Sequence, residues 1–132
     1  MAHDEDIRTK FLGTWKLVGV DREVADSGEK LDQGVVQTGF ICYTSEPRMM
    51  VIIRRTTPGQ PGQEITSYAG PWTIEGDAVI HHVEMATREP WVGTDQVRGF
   101  TFEGNRLTLS PPVSPDYTHG SVTRRNLTWE KV

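Results

Sequence analysis

Apolar and polar residues alternate with a period of two through much of this chain, and Gly, Asp and Asn punctuate the alternation. The pattern is densest between Tyr68 and Leu109. Four short runs begin there at Tyr68, Val79, Gln96 and Arg106, with turns at Glu75-Gly76-Asp77 and Glu103-Gly104-Asn105 and a longer loop over residues 89–95. Runs and breaks of this kind predict a β-meander. Upstream, residues 14–20 read as a first strand with Trp15, Leu17 and Gly19 on one face, and residues 39–44 as a second. Residues 49–55 are almost wholly apolar before Arg54, which predicts a strand covered on both sides. Residues 121–131 close the series, with Thr123, Arg125, Leu127 and Trp129 sharing a face.

Ahead of the strands, residues 4–12 place acidic side chains first and then Ile7, Phe11 and Leu12 at helical spacing. That predicts a short amphipathic helix stopped by Gly13. The polar stretch 21–34 and the Pro/Gly-rich stretch 57–63 read as loops, and prolines 111, 112 and 115 exclude a central strand there. The chain is therefore all-β, with roughly eight antiparallel strands, which lose their free edges most simply by closing into an up-and-down barrel with room for one small ligand.

With 132 residues and no repeat or linker, residues 1–132 read as a single domain. The net charge of -4 argues against nucleic acid or an anionic membrane as partner, and the Arg124-Arg125 pair is too short to reverse it. A single cysteine, Cys42 in the apolar run 40–43, excludes an intrachain disulfide and reads as a buried, inert thiol. The polar N-terminus lacks a secretory h-region and no run approaches a membrane span of about 18 apolar residues, so a cytoplasmic location is expected. His81 and His82 point apart on a strand, and no Gly-rich phosphate loop follows a strand; no metal and no cofactor are expected.

Gly13-Thr14-Trp15 resembles the Gly-x-Trp signature of lipocalins. The longer series Phe11-Leu12-Gly13-Thr14-Trp15-Lys16-Leu17, Tyr43-Thr44, Ser67-Tyr68-Ala69-Gly70, Val79-Ile80-His81-His82-Val83, 90–98, Leu107-Thr108-Leu109 and Trp129-Glu130 resembles the lipocalin-like domain family of small bacterial and fungal proteins. The resemblance implies a calycin-type barrel with a pocket. It also implies that Trp15 closes one end against a basic residue of the last strand, for which Arg125 is the candidate. Some relatives of this barrel class sit in natural-product pathways. The turn at Glu46-Pro47-Arg48 departs from the family's Asp-Gly-Arg type of hairpin.

Strand parity points to the candidate chemistry. Val79, His81, Val83 and Met85 share one face, so His81 faces the barrel, either as an acid/base or as a core histidine held by hydrogen bonds. Gln96, Arg98, Phe100 and Phe102 share the next; Arg98 would hold a carboxylate or an enolate by its planar fork, or pair with Glu64 or Glu84. Tyr43, Arg54 and Tyr68 complete the polar set, and Trp72 and Trp91 would line the mouth. Two functions follow, beside the plainer reading of a filled barrel that serves as an interaction domain. One is a binding module for a small, largely apolar molecule with a polar or acidic end, contacting Tyr43, Arg54, Tyr68, Trp72, His81, Trp91, Gln96, Arg98 and Phe100. The other is a cofactor-independent cyclase, isomerase or dehydratase for a polyketide- or terpenoid-like intermediate, with His81 and Arg98 as catalytic residues. A homodimer is compatible with either.

Overall fold

The computed structural model describes residues 2–24, 27, 30–31, 36–111, 114–116 and 121–132, with the side chains of 5–22, 24, 27, 36–111 and 125–132. The side chains of Asp116, Ser121 and Thr123, and all of His119, lie outside the described residues. One helix, α1 (Ala2–Phe11), precedes strands β1 (Gly13–Val24), β2 (Lys30–Leu31), β3 (Val36–Tyr43), β4 (Arg48–Thr56), β5 (Glu64–Glu75), β6 (Ala78–His82), β7 (Met85–Ala86), β8 (Asp95–Glu103), β9 (Arg106–Ser110), β10 (Ser114–Asp116) and β11 (Ser121–Lys131). Every pairing is antiparallel. The order β1-β3-β4-β5-β6-β8-β9-β11 returns to β1 and closes an eight-stranded barrel, with β2, β7 and β10 as short additions to β1, β5 and β11. No helix among the described residues is long and apolar enough to cross a membrane.

Inward residues come from alternate positions, as a pleated strand requires. In β4 these are Met49, Val51 and Ile53, while Met50 and Ile52 are about half exposed beside an equally exposed Phe40. The expectation that this strand is covered on both faces is thus corrected: its apolar run continues onto the outer surface. Cys42 lies on that outer side, paired with Met50 and half-buried rather than sealed in the core. Two irregularities break simple parity. Register shifts between Leu17 and Gly19, so Trp15 and Leu17 face Lys131 and Trp129, whereas Val20 and Arg22 then face Leu127 and Arg125. After His82 the chain leaves the ladder, and Met85 pairs with Ala69 on the outside instead of continuing the inward face of His81.

The core is aromatic at one end. Phe11, fully buried at the end of α1, lies 5.0 Å from the rings of Tyr43, Phe100 and Phe102 and 5.6 Å from Trp72. Trp15 Nε1 donates to the Phe11 carbonyl at 2.9 Å, so the strand that follows holds the helix over this end. The cation against Trp15 is Lys131, whose Nζ sits 4.6 Å from the ring centroid and donates to the Leu12 carbonyl. Arg125 does not fill that role: it pairs with Arg22, six residues further along β11 and on the order of 20 Å away at strand rise.

Gly70 is required where β5 meets the departing chain. A Cβ there would lie 1.8 Å from the His82 carbonyl oxygen and 3.1 Å from the Glu84 nitrogen. Gly70→Ala should therefore cost at least about 3 kcal/mol, or about 10 °C in Tm, in a thermal melt. Gly99→Ala, whose Cβ meets nothing closer than the Ser110 oxygen at 3.7 Å, should change stability by less than about 1 kcal/mol.

Candidate functional site

The polar centre of the barrel is a histidine between two phenols. His81 on β6 is 1% exposed; its Nε2 is 2.7 Å from Tyr43 Oη of β3 and its Nδ1 is 2.7 Å from Tyr68 Oη of β5. Burial, reinforced by the charges of Arg98 and His82, lowers the imidazole pKa to about 3. Burial also raises both phenols, Tyr68 to about 12 and Tyr43 well above its ordinary value, with Arg98 opposing in each case. The trio is thus neutral at physiological pH, and it stays in register because Val51 on β4 pairs with both Ile41 and Tyr68.

Above the trio lies a cavity of about 150 Å³, lined by Ile41, Val51, Ile53, Leu109 and Leu127 and by Tyr68, His81, Arg98, Arg125 and Trp129, among others. Trp91 forms part of the wall, edge-on to Tyr68 at 5.9 Å, with the Arg88 guanidinium 5.1 Å from its own ring. A second hollow, near 420 Å³, lies between Arg55 and the 57–64 loop, and none of its lining side chains is buried.

The cavity holds donors in excess. No carboxylate stands among its described lining residues. Among the described residues Arg98 donates only to neutral oxygens, Val97 O and Gln96 Oε1, each at 2.9 Å. Its expected acidic partners are engaged elsewhere, Glu64 with Arg88 and Glu84 with Arg48. The buried Nε of Arg125 and Nε1 of Trp129 have no acceptor among the described residues. Burial pushes the Arg125 pKa down, with smaller contributions from the like charges of Arg22, Arg98, Arg55 and Arg88; a guanidinium remains protonated in a protein nonetheless.

Of the residues singled out from sequence, Tyr68, His81, Trp91 and Arg98 stand on this wall, and Tyr43 stands behind it through His81. Gln96 acts on the wall only by holding Arg98. Trp72 and Phe100 pack on Phe11 at the closed end, and Trp72 Nε1 donates to the Thr44 carbonyl at 3.0 Å, so Trp72 does not line the mouth. Arg54 is exposed on the outer face, bonded to Gln63, for the same parity that exposes Met50 and Ile52. Sequence assigned Arg125 to the Trp15 end and no ligand contact to Trp129, although both fall with Leu127 on one face of the last strand; that alternation was the available signal.

An eight-stranded antiparallel barrel around an apolar, donor-rich cavity is lipocalin architecture. A family model described as a lipocalin-like domain matches residues 60–132, and the chain belongs to that family. A protein of Aspergillus oryzae named 4'-hydroxy-3'-methoxypropiophenone carrier protein ppsC is 33% identical over 104 residues, covering 61% of this chain and 93% of that protein. No solved structure is significantly similar to the chain.

The depressed histidine has a measurable consequence. The folded imidazole takes no proton until about pH 3, while the unfolded one, at its ordinary 6.5, does so first. The unfolded state therefore binds more protons in between, and this contribution to stability is complete above pH 6.5 and is lost as pH falls toward 3. Denaturant melts at pH 7.5 and 5.0 should show the wild type losing about 2 kcal/mol more than His81→Gln over that interval. Equal losses would mean that His81 is not held neutral.

Proposed function

We propose that the barrel binds and carries a small, largely apolar aromatic molecule whose polar or acidic end meets the donors of the cavity wall. The observation behind this reading is a largely apolar hollow whose described lining carries two arginines, a histidine and a tyrosine but no carboxylate. A volume of about 150 Å³ suits one aromatic ring; an engineered apolar cavity of about that size takes up benzene. Arg98 and Arg125 are only half-buried, but each is partly withdrawn from water without an anion among the described residues, so an incoming acceptor or anion gains more there than it would in bulk water. The name of the Aspergillus relative, a carrier of an aryl ketone, supports the same ligand class. A cofactor-free enzyme would need His81 to accept a proton, and a pKa near 3 weighs against that role.

Titration with single-ring aryl ketones and aromatic acids, 4'-hydroxy-3'-methoxypropiophenone among them, tests the reading. Trp91 and Trp129 stand on the wall, so binding should quench intrinsic fluorescence and raise Tm. Arg98→Met should weaken the acids by about tenfold or more, the value of a charge-assisted hydrogen bond. If no member of the panel quenches or stabilises, the carrier reading fails.

A further inference from the structure

A neutral imidazole has one N–H and one bare nitrogen, so it donates one hydrogen bond and accepts one. His81 has a phenol 2.7 Å from each nitrogen, and one tyrosine therefore donates to the ring while the other accepts from it. The two tyrosines are not equivalent. Tyr43 is 1% exposed, is absent from the cavity wall, and its hydroxyl has His81 as its one polar partner among the described residues. Were Tyr43 the acceptor, its own proton would be buried with nowhere to go. Tyr68 lies on the cavity wall, where its proton has open space to address.

We infer that His81 is the Nδ1–H tautomer, with Tyr43 donating to Nε2, Nδ1–H donating to Tyr68 Oη, and the Tyr68 hydroxyl aimed into the cavity as the donor that selects a ligand by its acceptor oxygen. The ligand half of this inference rests on the carrier reading above. Each bond in the series Tyr43, His81, Tyr68 runs the same way, so each polarises the next and makes Tyr68 a better donor than an isolated phenol. Arg98 stands on the same wall and adds a positive field at that point. The chemistry that fits is a carbonyl beside an apolar ring: the oxygen accepts from Tyr68 and the ring fills the aliphatic remainder of the cavity. A molecule that offers only C–H at that position would leave the Tyr68 proton unmatched. Tyr43 is then a positioning residue, fixing the direction of the series without reaching the ligand.

Two measurements separate this inference from the carrier reading. The first needs no ligand: long-range ¹H–¹⁵N correlation of the His81 ring in the intact protein near pH 7. A pyrrole-type Nδ1 and a pyridine-type Nε2 are expected; the reverse assignment overturns the inference whatever the protein binds. The second compares an aryl ketone with the analogue whose carbonyl is replaced by methylene, in the wild type and in Tyr68→Phe. The wild type should prefer the ketone by at least about tenfold, and Tyr68→Phe should bring the two within about twofold while still binding the methylene compound. A preference that survives in Tyr68→Phe overturns the selecting role of Tyr68. Failure of both compounds to bind the wild type removes the ligand half, and the tautomer is still decided by the ring shifts.

Discussion

An imidazole withdrawn from water must satisfy both nitrogens without taking a charge, and the barrel is arranged around how His81 does so. Its partners come from β3 and β5, so two hydrogen bonds tie together the inner face of four successive strands, with β4 between them. Tyr43 is fixed from its far side by the edge-on rings of Phe11 and Trp72. The trio thus forms the floor between a solid aromatic end and a hollow one. Remove the plug, and Tyr43 loses the packing that holds its hydroxyl at the ring.

The hollow end follows the opposite rule. Close packing would call for apolar side chains there; instead Arg98 and Arg125 line a space with no carboxylate among its described lining residues, and the Trp129 indole N–H is buried in its wall without an acceptor among the described residues. Such a surplus weakens the folded state and is tolerated only while the rest of the core compensates. The aromatic end, where Phe11 packs on Tyr43, Trp72, Phe100 and Phe102, provides that compensation.

What was legible in the sequence was the period of two. It located roughly eight strands and put His81 and Arg98 on inward faces; β8 keeps its alternation where Arg98 stands, whereas β6 buries Ile80 between Val79 and His81. It failed where one residue breaks the count. The bulge after Leu17 shifts everything downstream in β1, and the departure of the chain after His82 turns Met85 outward; neither leaves a trace in hydrophobicity. Alternation also says nothing of depth along a strand. Lys131 and Arg125 share the inward face of β11, and only the pairing with Trp15 at one end and Arg22 toward the other decides which cation clamps and which faces the cavity.

The seam between β1 and β11 sets an order on assembly. Trp15 pairs with Lys131, so the two edges that join the ring are supplied by its first and last strands. During synthesis every other strand of the barrel can pair with a neighbour made just before it, whereas β1 must wait for β11. Its exposed edge is available to other chains for that whole interval, and the long-range pairing that retires it comes at the end of a slow, non-local search.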